Sequence, residues 1–172
     1  MIKTILFAGA FALSSAAAAQ DNAASEAPAE PATGPGSLAW LSAQQTYLSG
    51  LKPADGWRWI DGGLRWRWVA TPTSTYGAGA KPAVSDQVTV HYEGSFLDGE
   101  VFDSSYQRGE PASFPLGGLI RGWQLAIPQM SAGDTIEVAI PADLAYGPVG
   151  RGPIPGGATL LFKVELITIG DE

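Results

Sequence analysis

The chain is 172 residues long, contains no cysteine and one histidine, and carries a formal net charge of −7. Without thiols there is no disulfide stapling, no cysteine nucleophile and no lipid attachment through cysteine. The acidic balance repels phosphate backbones at long range and argues against nucleic acid as a partner.

Residues 1–19 have the layout of a secretory leader: Lys3 supplies positive charge, residues 5–13 an apolar stretch, and Ala17, Ala18 and Ala19 a small-residue cleavage site. The apolar stretch is far short of the roughly 20 residues that a membrane-spanning helix requires. A periplasmic or secreted protein with no membrane anchor after cleavage is therefore expected. Residues 20–37 are mostly Ala, Pro, Glu, Ser and Gly, a composition that cannot offset the entropy of ordering and reads as a disordered linker. What remains is one domain's worth of chain, expected to form a single core and to act as a monomer.

An N-terminal extension is expected over residues 38–83. Leu38, Leu41, Tyr47, Leu48 and Leu51 permit a short helix that Lys52-Pro53 would stop. Trp57, Trp59, Trp66 and Trp68 follow at spacings of two within each pair, around an Asp61-Gly62-Gly63 turn, so two short strands are expected. In the second, Trp66 and Trp68 share one face and Arg65 and Arg67 the other. An aromatic strand face is more often buried than offered to a sugar or peptide, so the hairpin is read as packing on the main sheet. Residues 71–82, rich in Gly, Pro, Thr and Ser, form a loop into the main domain.

Beyond it, three segments alternate apolar and polar residues: Val88, Val90 and Tyr92; Ile136, Val138 and Ile140; Leu160, Phe162, Val164 and Leu166. They read as antiparallel strands with one face on a core. Only residues 121–129 offer a helix there, with Trp123 and Ile127 on one side and Pro128 limiting its length. The expected class is α+β, a curved antiparallel sheet wrapped on one short α-helix.

The same residues exclude several chemistries. His91 alternates to the face opposite Tyr92, so a Ser-His-Asp arrangement is not expected, and one histidine without cysteines cannot assemble a zinc site. No phosphate-binding loop of the G-x-x-x-x-G-K-S/T type is present. Asp98-Gly99 is a hairpin turn signal, which leaves Asp103 as the acid that follows a buried-looking aromatic. Neither cofactor nor metal is expected.

Four separated blocks carry the functional signal: V-H-Y-E-G at 90–94, V-F-D-S-S at 101–105, L-I-R-G-W at 119–123 and L-A-Y-G at 144–147. With R-G-E-P at 108–111, Q-M-S-A-G-D at 129–134 and A-T-L-L-F-K-V-E-L at 158–166, the series resembles the FKBP-type peptidyl-prolyl cis-trans isomerases, in particular the exported bacterial branch similar to macrophage infectivity potentiator proteins. The likeness runs over about residues 62–169, with the isomerase domain proper at 84–169.

The resemblance implies rotation about X-Pro bonds in proline-containing, unfolded or partly folded polypeptides, and macrolides as a second ligand class. It implies Trp123 as the floor of the pocket, Tyr92, Phe102, Phe114 and Phe162 as its walls, and the backbone at Leu119 and Ile120 as the stretch that holds the ligand. Asp103 is the implied rim acid, bonded to Tyr92 and paired with Arg108. Tyr146 is the implied hydroxyl that meets the substrate carbonyl, and Ile154 the flap. Catalytic roles fall to Asp103, Tyr146 and Tyr92. Ala112 where small eukaryotic members have an aromatic, Arg151 for the flap histidine, and Pro155-Gly156 for a double proline depart from the pattern. A non-catalytic chaperone or peptide-binding module using the same pocket is the alternative, and a carbohydrate-binding or envelope-attached module built on the tryptophan hairpin is a third.

Overall fold

A computed structural model describes residues 34–69 and 79–170. The expected leader, the linker up to residue 33 and residues 71–78 of the expected loop lie outside the described residues.

Helix α1 (Leu38–Gly50) begins where the Ser37 hydroxyl accepts a hydrogen bond from the Trp40 amide, an N-cap. It gives way, after Leu51 and Lys52, to a short 3₁₀ turn at Pro53–Asp55. Strands β1 (Arg58–Ile60) and β2 (Leu64–Trp68) form the expected hairpin around Asp61–Gly63. The sheet continues with β3 (Gln87–Ser95), β4 (Val101–Ser104), β5 (Ala112–Pro115), β6 (Thr135–Ile140) and β9 (Leu160–Ile169). Its order is β1-β2-β6-β9-β3-β4, with β5 also pairing β3, and every pairing is antiparallel. A separate two-stranded flap joins β7 (Gly150–Arg151) to β8 (Ile154–Pro155).

The tryptophan hairpin thus continues the sheet, because β2 pairs along β6. Against the front face packs α3 (Arg121–Ala126), prolonged by a 3₁₀ turn over Ile127–Gln129 at Pro128. Gly122 lets this helix approach closely: a Cβ there would stand 2.4 Å from Ile140. Leu64, Val88, Val90, Ile136, Ile140, Leu160 and Leu166 are fully buried between helix and sheet.

Two expectations need correction. A single core was expected, but the sheet is apolar on both faces: Leu48 of α1 covers Trp57 and Ala139 on the back, apart from the main cluster. The reason is residue parity on β6, where Val138 faces front and Ala139 back, so the helix can bury a second layer. The tryptophans also divide. Trp66 joins the front core and Trp68 packs at its margin, Trp57 is buried on the back, and Trp59 remains 61% exposed. Helix α2 (Ser105–Arg108), one turn between β4 and β5, was not anticipated.

Candidate active site

Strand β3 carries Tyr92 to the front face, where alternate residues Val88, Val90 and Tyr92 are buried. Its outer edge is shared by β5 near the start and β4 near the end, and the one-turn α2 lies between them. The resulting gap in the ladder is filled by Ser105. Its fully buried hydroxyl accepts from the Tyr92 amide at 2.7 Å and donates to the Tyr92 carbonyl at 3.1 Å. His91 Nδ1, 2.9 Å away, completes that hydroxyl's partners, and its ring stacks on Tyr106 at 4.7 Å, outside the cup. Both backbone groups of Tyr92 are thereby satisfied at a point where neither neighbouring strand reaches them.

The front face hollows into a cup of about 430 Å³. Trp123, 5% exposed on α3, forms its floor. Tyr92 and Phe162 meet the indole edge-on, each at 5.3 Å, and Phe114 at 6.4 Å. Phe102 packs perpendicular to Phe162 at 5.6 Å. That contact requires the absent side chain of Gly94, where a Cβ would stand 2.6 Å from Phe102 and 2.7 Å from Phe162. Tyr146, after the 3₁₀ turn at Ala142–Leu144, also lines the cup, together with Ile154 on the flap.

At the mouth, the Tyr92 hydroxyl donates to Asp103 Oδ2 at 2.5 Å and accepts from Arg108 Nη2 at 3.0 Å. Arg108 Nη1 also donates to Asp103 Oδ1, closing a three-membered network, and the guanidinium lies 5.4 Å from the Tyr92 ring centroid. Burial opposes charge on Asp103, but the hydrogen bonds from Tyr92 and Arg108 and the adjacent positive charge outweigh it and hold the carboxyl below its usual value of 3.8. Burial, then the carboxylate partner, pushes the Tyr92 hydroxyl above its usual 10.0. At neutral pH the acid is therefore ionised and the phenol protonated, and neither changes state there, so the network orients groups.

All the expected wall and floor residues converge on this cup, with Leu119 and Ile120 along one side. Arg108 reaches it only through Asp103 and Tyr92. Leu119 already donates to Leu116 and its carbonyl accepts from Gln124 Nε2, while the Ile120 amide makes no hydrogen bond among the described residues. The Trp123 indole N–H is likewise buried without a partner. Gly152 and Pro153 of the flap line the cup unanticipated, beside Arg151. Ser105 was also missed, although a serine two residues beyond the rim acid in F-D-S-S was the available signal.

The sequence pattern of the FKBP-type peptidyl-prolyl cis-trans isomerases matches residues 78–167. The chain belongs to that family. It is 46% identical over 125 residues to the outer membrane protein MIP of Legionella longbeachae, a match covering 72% of this chain and 51% of that one. Among solved structures, FkpA from Escherichia coli superposes with a TM-score of 0.68 at 36% identity, over 75% of this chain and 58% of that one. A peptidyl-prolyl cis-trans isomerase from Pseudomonas syringae does so with a TM-score of 0.67 at 34% identity, over 77% and 95%. The chain spans about half the length of the curated relatives it matches. In this FKBP-type chain α1 and the tryptophan hairpin precede the matched stretch; α1 covers the back of the sheet and the hairpin continues the sheet beyond β6.

Proposed function

We propose that this protein is a peptidyl-prolyl cis-trans isomerase, a rotamase acting on proline-containing segments of exported polypeptides. The observation that carries the reading is the aromatic cup floored by Trp123, with the Tyr92–Asp103–Arg108 network fixing its mouth. Rotation about an X-Pro bond crosses a barrier because the planar amide loses its resonance. The planar amide is the more polar form and loses more on leaving water, so an apolar cup raises the ground state toward the twisted one.

The uncommitted Ile120 amide and the Tyr146 hydroxyl, which has no hydrogen bond among the described residues, are the donors that would hold the carbonyl at the barrier top. An acceleration of about 10⁴-fold requires about 5.5 kcal/mol of differential stabilisation, within reach of desolvation and two such donors. Asp103, Tyr92 and Tyr146 are assigned the catalytic roles, and Phe102, Phe114, Leu119, Trp123, Ile154 and Phe162 substrate contact. Arg108 acts as a positioning residue. Macrolides are proposed as ligands of the same cup.

A proline-limited refolding assay tests this: wild type shortens the slow phase, and Asp103→Ala combined with Tyr146→Phe restores it. No acceleration by wild type, together with suppression of aggregation that survives those changes, would instead establish a chaperone. Among the described residues Trp59 is the one strongly exposed indole, and Arg65 lies 5.1 Å over its ring, an arrangement that favours the isomerase reading over a sugar-binding hairpin. Export through the expected leader is proposed from residues 1–19, and the N-terminal sequence of the protein recovered from periplasm, expected near Gln20, checks it.

A further inference from the structure

A second cavity, of about 730 Å³, adjoins the cup, and Phe102 and Pro153 belong to the walls of both. Three segments far apart in sequence bound it: α1 through Trp40 and Gln44, the β3–β4 turn through Phe96, Leu97, Asp98 and Glu100, and the chain that follows the flap up to Thr159. Its α1 wall is anchored at two points. Gln44, 7% exposed, accepts a hydrogen bond from the Thr159 amide at 2.9 Å. Leu41 rests on Gly157, where the backbone has φ +81° and a Cβ would stand 2.5 Å from the leucine. The helix therefore builds this groove against the base of the flap.

The lining chemistry is one-sided. Trp40, Phe96 and Leu97 supply apolar surface, and Asp98 and Glu100 supply the only charges among the lining residues. Among the described residues neither carboxylate is in an ion pair, although Asp98 Oδ1 accepts from the Glu100 amide at 3.0 Å and so holds the turn. An aromatic wall beside two unpaired carboxylates suits a side chain with an apolar stem and a cationic head, and arginine suits it best because its guanidinium also stacks on rings. The net charge of −7 adds attraction for a basic segment at long range.

We propose that this groove is a second subsite for the polypeptide whose proline occupies the cup, and that it selects a lysine or arginine in the segment flanking that proline. Phe102 and Pro153 form the wall common to both, so an extended chain that leaves the cup across them enters the groove. The inference rests on the isomerase reading for its occupant.

The test compares a four-residue proline peptide, too short to leave the cup, with longer labelled peptides carrying Arg or Glu at successive positions on either side of the proline. Wild type and the Asp98→Asn, Glu100→Gln double variant, which retains side-chain size and the turn acceptor, are assayed for kcat/KM and for Kd by fluorescence anisotropy. The expected result is a preference for Arg over Glu of roughly threefold to tenfold in wild type at one or more positions, weakening with salt and lost in the variant. The four-residue peptide is turned over equally by both. An Arg-to-Glu ratio near one in wild type, or one unchanged in the variant, overturns the subsite. Failure to isomerise even the short peptide overturns the isomerase reading, and the Kd ratios then decide the groove separately.

Discussion

Two arginines in this molecule lie over aromatic rings beside a carboxylate, one on each face of the sheet. Arg67 sits 4.7 Å from the Trp57 ring and 2.7 Å from Glu137, on the back. Arg108 sits over Tyr92 and pairs with Asp103, at the mouth of the cup. The side-chain chemistry is nearly the same, and the central ring makes the difference. Trp57 is packed beneath α1 against Leu48 and Ala139, so its arginine closes a structural layer. Tyr92 turns a hydroxyl to both partners while its ring touches Trp123, so its arginine sets the position of a cup wall. An arginine–aromatic–carboxylate constellation becomes part of a site only when its ring borders a cavity that a ligand can enter.

The most severe way to break the front of this comparison is Trp123→Ala, which empties the floor. It should cost about 3–5 kcal/mol of stability and abolish acceleration of proline-limited refolding, read by chemical denaturation and the refolding assay. Next is Ser105→Ala, which strands the Tyr92 amide and carbonyl in the gap between β4 and β5. A loss of about 1–3 kcal/mol is expected, with a fall in kcat/KM because Tyr92 is no longer fixed. Retention of full activity in that variant would show that Ser105 serves the ladder alone.

The two arginines should then separate. Arg67→Ala lowers stability by about 1 kcal/mol, since its ion pair is part-exposed, and leaves kcat/KM unchanged. Arg108→Ala lowers kcat/KM roughly tenfold and barely moves the denaturation midpoint, because a solvent-open pair adds little to stability. Equal kinetic effects from both would erase the distinction between the faces.

The smallest effect concerns pH. Asp103 is held below 3.8 in the folded state, so its contribution to stability is complete above that value and disappears as pH falls through the depressed one. The stability difference between wild type and Asp103→Asn should be flat at neutral pH and shrink only under acid conditions. Its size is modest, since the carboxyl is 43% exposed and solvent screens it. At the opposite end, burial and the Glu165 partner push Tyr106 up to about 12, so its contribution persists to pH 10 and is lost as pH rises toward that value.

Much of the front face was legible because strand periodicity is a local property. Val88, Val90 and Tyr92, like Leu160, Phe162, Val164 and Leu166, announce their buried face by alternation, and that face is buried. The turn at Asp98-Gly99 was readable for the same reason, and Gly99 has φ +91° there. Helix α2 was not readable: four residues carry no period, and the turn exists to carry the chain from β4 to β5. The fate of the tryptophans was only half readable, because spacing by two assigns a common face without saying which layer covers it.

What the sequence by itself determined is the set of groups: an aromatic series in fixed order, a lone rim acid with an arginine five residues on, and no thiol, histidine pair or phosphate loop to support another chemistry. Tertiary structure decided which of them meet. Antiparallel pairing of β3 with β9 sets Tyr92 opposite Val164 and Gly94 opposite Phe162, and only that register brings Phe102, Phe162 and Trp123 around one hollow. Packing of α1 on the back and against Thr159 creates a second layer and a second groove that no local pattern encodes. The physical reason is range: side-chain periodicity reports a residue's own element, whereas a cavity is the space left between elements that the chain brings together from far apart.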